Sequence, residues 1–169
     1  MNFHRPGLLI LPEDGAFRQI ATGFALHHGV EPSRIHVLPE AGGWQKVVDA
    51  FKQNQVPRLR RHGSLRVLLL VDFDGEVDPP HDRKGRYQSI FESVPEDLRG
   101  RTFLLGPADE AEDLKKELGR SGAERAGGLL ADGCPDDPDE VWTGPQLRHN
   151  RDELTRLRAS VGAFLLRHP

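Results

Sequence analysis

The stretch Leu68-Leu69-Leu70-Val71-Asp72-Phe73-Asp74-Gly75 constrains the fold of this chain more than any other. A continuous apolar run rich in Leu and Val predicts a strand buried on both faces, the kind found in parallel sheets covered by helices. The run stops at two carboxylates spaced i, i+2. On an extended backbone that spacing points both side chains to the same side. The carboxyl ends of such strands are where open α/β sheets bind ligands, and paired hard oxygens there suit Mg²⁺ or Mn²⁺. A second run, Leu8-Leu9-Ile10-Leu11-Pro12-Glu13-Asp14-Gly15, is another apolar strand that ends in carboxylates, and a helical pattern follows it.

Strand and helix signals alternate along the chain. Residues 7–12, 34–38, 65–72 and 101–106 read as strands; residues 15–28, 44–55, 86–93, 110–118 and 123–132 read as helices. Pro57 to Gly63 reads as a basic loop, and Pro79 and Pro80 forbid regular structure after the acid pair. Asp132 to Pro145 is rich in Asp, Pro and Gly and reads as a surface loop. The last helix, to about Arg167, opens at Asn150 with Glu153 three residues on, a capping-box spacing. This order predicts an α/β fold: one domain over 1–169, with a compact Rossmann-like, mainly parallel sheet of about four strands flanked by helices. Residues from about 120 to 169 form a helical C-terminal extension, whose apolar stripe is expected to pack on the sheet.

Composition excludes several classes. A net charge of −3 gives no global attraction to nucleic acid or an anionic membrane. Cys134 is the only cysteine, so the chain has no internal disulfide and no cysteine-based zinc site. No stretch has the length of a transmembrane helix, and the first residues lack the apolar region of a signal peptide. These features predict a cytoplasmic protein without membrane contact; they leave oligomeric state open.

If the first and third strands are neighbours, Glu13, Asp72 and Asp74 meet at one edge of the sheet. Carboxylates that close destabilise one another unless a proton or a cation neutralises them. A divalent metal would do so, and could also bind phosphate oxygens and activate water. At these residues the chain resembles the Toprim domain of topoisomerases, bacterial primases and OLD-family nucleases, which carries a glutamate after its first strand and Asp-x-Asp after its third. The resemblance covers roughly residues 7 to 119. It implies that Asp72 and Asp74 hold Mg²⁺ or Mn²⁺ and that Glu13 is a further ligand or a general acid/base. The family's glutamate is usually followed directly by Gly, whereas Asp14 intervenes here before Gly15.

Other residues extend this constellation. Arg83, Lys84 and Arg86 in the segment after the acid pair could grip a phosphate ester. Glu110 and Glu112, after the fourth strand, could form a second acidic pair, although acids in a first helical turn also suit the helix dipole. The basic run Arg58, Arg60, Arg61 and Arg66 lies before the third strand and is expected away from the acids. Tyr87, the only tyrosine, carries no mark of a topoisomerase nucleophile. The leading functional reading is a metal-dependent, nuclease-like enzyme acting on nucleic acid, with a partner protein such as an ATPase supplying substrate grip. Two alternatives stand beside it. Val71-Asp72-Phe73-Asp74-Gly75 is similar to the hhhDxDG box of haloacid-dehalogenase phosphatases, in which Asp72 would be the nucleophile and Asp74 the general acid/base. The box normally opens that domain, however, and here a strand–helix–strand–helix unit precedes it. The other alternative is a nonenzymatic binding module.

Overall fold

Four strands, β1 (Gly7–Pro12), β2 (Ile35–Val37), β3 (Leu65–Leu70) and β4 (Thr102–Leu105), form one sheet in the order β2-β1-β3-β4, and every pairing is parallel. The computed structural model describes residues 5–76, 85–119, 122–134 and 140–167. All six residues of β1 and most of β3 are buried. Their unbroken apolar runs follow from that burial, since both faces of the sheet are covered. The chain therefore has the expected α/β, Rossmann-like architecture.

Successive side chains along a strand alternate between faces, which divides the core in two. On one face Leu8, Ile10, Leu68, Phe103 and Leu105 pack against α1 (Gly15–Ala25), α6 (Ala123–Asp132) and α8 (Arg151–Leu165). On the other, Leu9, Leu11, Val67, Leu69 and Leu104 meet α2 (Trp44–Ala50), α3 (Val56–Arg61) and α4 (Arg86–Ser93). The C-terminal helix packs on the sheet as its apolar stripe predicts, and Leu154, Leu157, Val161 and Leu165 are buried there.

Three local expectations fail, each for a physical reason. The segment 57–63 is largely helical rather than a loop. A π-helical stretch, Phe51–Gln55, joins α2 to α3, and the Val56 N–H bonds back to the Phe51 carbonyl. Pro57 then falls at the start of a new helical register, where its missing N–H costs nothing. The arginines of this helix do lie at the amino end of β3, and Arg60 pairs with Asp97. The described end of the 132–145 segment forms the short helix α7 (Glu140–Thr143), which buries Trp142 against α6. Its indole N–H donates to the Leu130 carbonyl at 3.1 Å; burying a large aromatic outweighs the polar composition around it.

The third failure concerns the start of α8. Asn150 has helical backbone angles and its side chain makes no cap bond. It turns instead to the free edge of β4, taking the Gly106 N–H (3.3 Å) and donating to the Gly106 carbonyl (2.7 Å). Glu153 accepts the Leu104 N–H at 2.8 Å, and Arg156 donates to the Thr102 carbonyl at 2.7 Å. An edge strand presents a row of outward N–H and C=O groups that burial makes costly to leave unpaired. The first turns of α8 satisfy that row with side chains where a fifth strand would have used its backbone.

Candidate functional site

Parallel pairing of β1 with β3, with Pro12 opposite Leu70, delivers the next residues of both strands to the same edge. The chain leaves β1 into α1 on one face of the sheet, and after β3 it reaches α4 on the other. Strand ends whose connections part to opposite faces leave a crevice between them, the usual ligand position in open α/β sheets. Glu13 and Asp72 stand there. The Glu13 N–H donates to the Leu70 carbonyl (2.9 Å), and Glu13 Oε2 accepts the Asp72 N–H (3.1 Å). The carboxylate thus continues the β1–β3 ladder by one rung. Asp14 caps α1 by accepting the Phe17 N–H at 2.9 Å, which accounts for an acid standing between Glu13 and Gly15.

Asp72 is anchored between two buried side chains, Val71 and Phe73. The Val71 N–H bonds to the Leu105 carbonyl and the Phe73 N–H to the Pro107 carbonyl. Gly106 permits this approach: a Cβ there would lie 1.5 Å from the Val71 carbonyl oxygen. The backbone does not stay extended through Asp74. Asp74 and Gly75 both have positive φ (52° and 72°), and the turn closes with Glu76 N–H to Phe73 carbonyl at 2.7 Å. Asp is among the few non-glycine residues that tolerate this region.

The two aspartates nonetheless converge, and Arg86 shows where. Its Nη1 pairs with Asp72 Oδ1 and also donates to the Asp72 carbonyl at 3.2 Å, while Nη2 reaches Asp74 Oδ2 at 2.9 Å. One guanidinium fork spans both carboxylates, a geometry that suits Arg and not Lys. The Arg86 side chain is 12 % exposed, and its Cζ lies 5.7 Å from the centre of the Trp44 ring. Trp44 itself follows Gly42 and Gly43, whose N–H groups bond to the Glu13 carbonyl at 2.7 and 3.4 Å.

Even with Arg86 in place, negative charge is in excess. Burial pushes the Asp72 carboxyl above its ordinary pKa; Arg86 opposes this, and the charges of Asp74, Asp14 and Glu110 reinforce it. Glu13 is likewise raised, first by burial and then by the neighbouring Asp72 charge, with the Asp72 N–H and Arg86 pulling the other way. Both groups hold a proton more readily than a free carboxylate does.

The remaining predicted residues divide. Arg83 and Lys84 lie outside the described residues. Arg86, expected as a phosphate contact, is engaged by the acids, an attraction its position in the sequence did not reveal. Glu110 adds its charge to the field at Asp72, whereas Glu112 pairs with Lys115 inside α5 (Ala111–Glu117). Among the described residues no group of three or more His, Cys, Asp or Glu side chains is arranged to hold a metal ion. Trp44 behind Arg86, and His149 at 5.4 Å from the Phe73 ring, are neighbours that no local sequence signal announces. Among known proteins, no family model, curated sequence or solved structure matches the chain.

Proposed function

We propose that the β1–β3 edge is a divalent-cation site serving phosphodiester cleavage, in the manner implied by the Toprim-like pattern of Glu13, Asp72 and Asp74. One observation supports this above the others: two carboxylates from a strand end at the sheet's crevice converge on a single cation, supplied here by the guanidinium of Arg86. Mg²⁺ or Mn²⁺ suits the same hard-oxygen pair. Asp72 and Asp74 would hold the ion, which when bound would polarise a phosphate and make a coordinated water more acidic. Glu13, with its raised pKa and one oxygen fixed by the Asp72 N–H, would take up and return a proton. The acidic edge repels a polyanion until a cation is present, so nucleic-acid substrate and metal would be taken up together, with a protein partner such as an ATPase adding grip.

A second reading draws on the same ion pair: Arg86 neutralises the acids permanently, and the protein is a binding module without catalysis. Calorimetric titration of Mn²⁺ and Mg²⁺ into the wild type and the Asp72→Asn/Asp74→Asn double variant separates the two, followed by cleavage assays on single- and double-stranded DNA and RNA. The metal reading expects saturable binding that the double variant loses, with Mn²⁺-dependent cleavage that Glu13→Gln abolishes. Metal-independent behaviour, identical in both proteins and without cleavage, would establish the module.

A further inference from the structure

Resting on the metal reading above, we propose that Arg86 is the resident cation of the acid pair: it fills the metal position while the protein is metal-free, yields that position when the ion binds, and then offers its fork to the phosphate of the substrate. The two Nη atoms are shared between Asp72 and Asp74, so an ion held by those carboxylates and the guanidinium cannot occupy the same place. Arg86 is a single positive charge facing Asp72, Asp74 and Glu13, with Asp14 and Glu110 also acting on Asp72. A dication neutralises such a group more completely than a monocation does.

Arg86 is also incompletely satisfied where it stands. Its Nε–H is buried without a hydrogen-bond partner among the described residues. Native structures leave few such donors, and each carries a cost that a function can explain. A phosphate oxygen is the kind of acceptor this donor lacks, since Arg takes phosphate through two parallel N–H groups. Arg86 begins α4, whose position is held by the buried Ile90 and by Tyr87 edge-on to Phe73 at 5.6 Å. The Trp44 ring gives the guanidinium an aromatic surface beside the acids.

The test is calorimetric titration of Mn²⁺ into the full chain as wild type and as Arg86→Met, which keeps an unbranched apolar stem and removes the guanidinium with its charge. Inorganic phosphate is then titrated into each Mn²⁺-saturated protein. Removing the competing guanidinium should tighten Mn²⁺ binding by about tenfold or more and weaken phosphate binding by about tenfold, the effect of one lost charge-assisted contact. In the wild type, Trp44 emission should change as Mn²⁺ saturates the site, and the change should vanish in Trp44→Phe, which leaves the buried Trp142 as background. This readout needs no Arg86 variant to fold. Equal Mn²⁺ affinity in wild type and Arg86→Met, with no Trp44 response, would overturn the inference and leave the metal site standing. Absence of Mn²⁺ binding in both proteins would overturn the metal reading and the inference with it.

Discussion

At the outer edge of β4, Glu153 is 8 % exposed, yet both of its oxygens are used: Oε1 accepts the Leu104 N–H and an Arg156 Nη2–H, and Oε2 accepts the Arg156 Nε–H at 2.9 Å. At the carboxyl ends of β1 and β3, Asp72 and Asp74 share one guanidinium, Glu13 uses one oxygen on the Asp72 N–H, and Asp74 sits in a left-handed turn. The first cluster closes a hydrogen-bonding account that the edge strand opens. The second carries more negative charge than its hydrogen bonds require, and the pKa values of Glu13 and Asp72 are raised, first by burial and then by their acidic neighbours. Charges that complete a fold and charges retained at its expense are thus distinguishable by what they touch.

Three substitutions sharpen that contrast. Glu153→Ala should have the largest effect. It leaves the Leu104 N–H unsatisfied and Arg156 without its carboxylate, a loss of about 3 kcal/mol by analogy with broken buried pairs. Urea denaturation at neutral pH measures it, and Mn²⁺ affinity of the folded variant should match the wild type. A drop in metal affinity would show that the two clusters are coupled. Asn150→Ala removes the side chain that serves both polar groups of Gly106, and should cost about 2 kcal/mol in the same assay.

Glu13→Gln should have the smallest effect and the opposite sign. The folded protein binds the Glu13 proton more tightly than the unfolded chain, whose reference value is 4.5. Ionised Glu13 therefore lowers stability at neutral pH, and this deficit shrinks as pH falls through the raised pKa toward the unfolded value. Glutamine keeps an acceptor for the Asp72 N–H without the charge. The variant should be more stable at pH 7 by less than about 1 kcal/mol after solvent screening, with the gain fading near pH 4. A destabilised variant at pH 7 would mean that Glu13 serves the fold in the way Glu153 does, which would weaken the case for a retained functional charge.

Much of the sheet was legible because its signals are local and repeated. The runs at 7–12 and 65–72 could be read as buried strands from their hydrophobicity, and the acids that end them marked the carboxyl edge; the observed third strand ends two residues earlier, at Leu70. The i, i+2 spacing of Asp72 and Asp74 pointed to convergence, although the positive φ at Asp74 means that the turn, rather than an extended strand, and Arg86 bring the carboxylates together. Pro57 misled because a proline stops a helix only where its N–H is needed, and the π-helical stretch before it removes that need. Arg86 was legible as a cation near the acids; its seat between them, with Trp44 behind, depends on the packing of α2 and α4 against the sheet.

The amino-acid sequence by itself determined the strands, their parallel character and the carboxylates at their ends, since burial on both faces demands continuous apolar side chains and charge must begin where burial stops. Tertiary structure alone decided which polar groups meet. Asn150 and Glu153 have the spacing of a capping box, worth about 1 kcal/mol as a local interaction. Three unpaired backbone groups at a buried sheet edge cost about 1–3 kcal/mol each, and that larger, long-range demand takes both side chains away from the helix they begin.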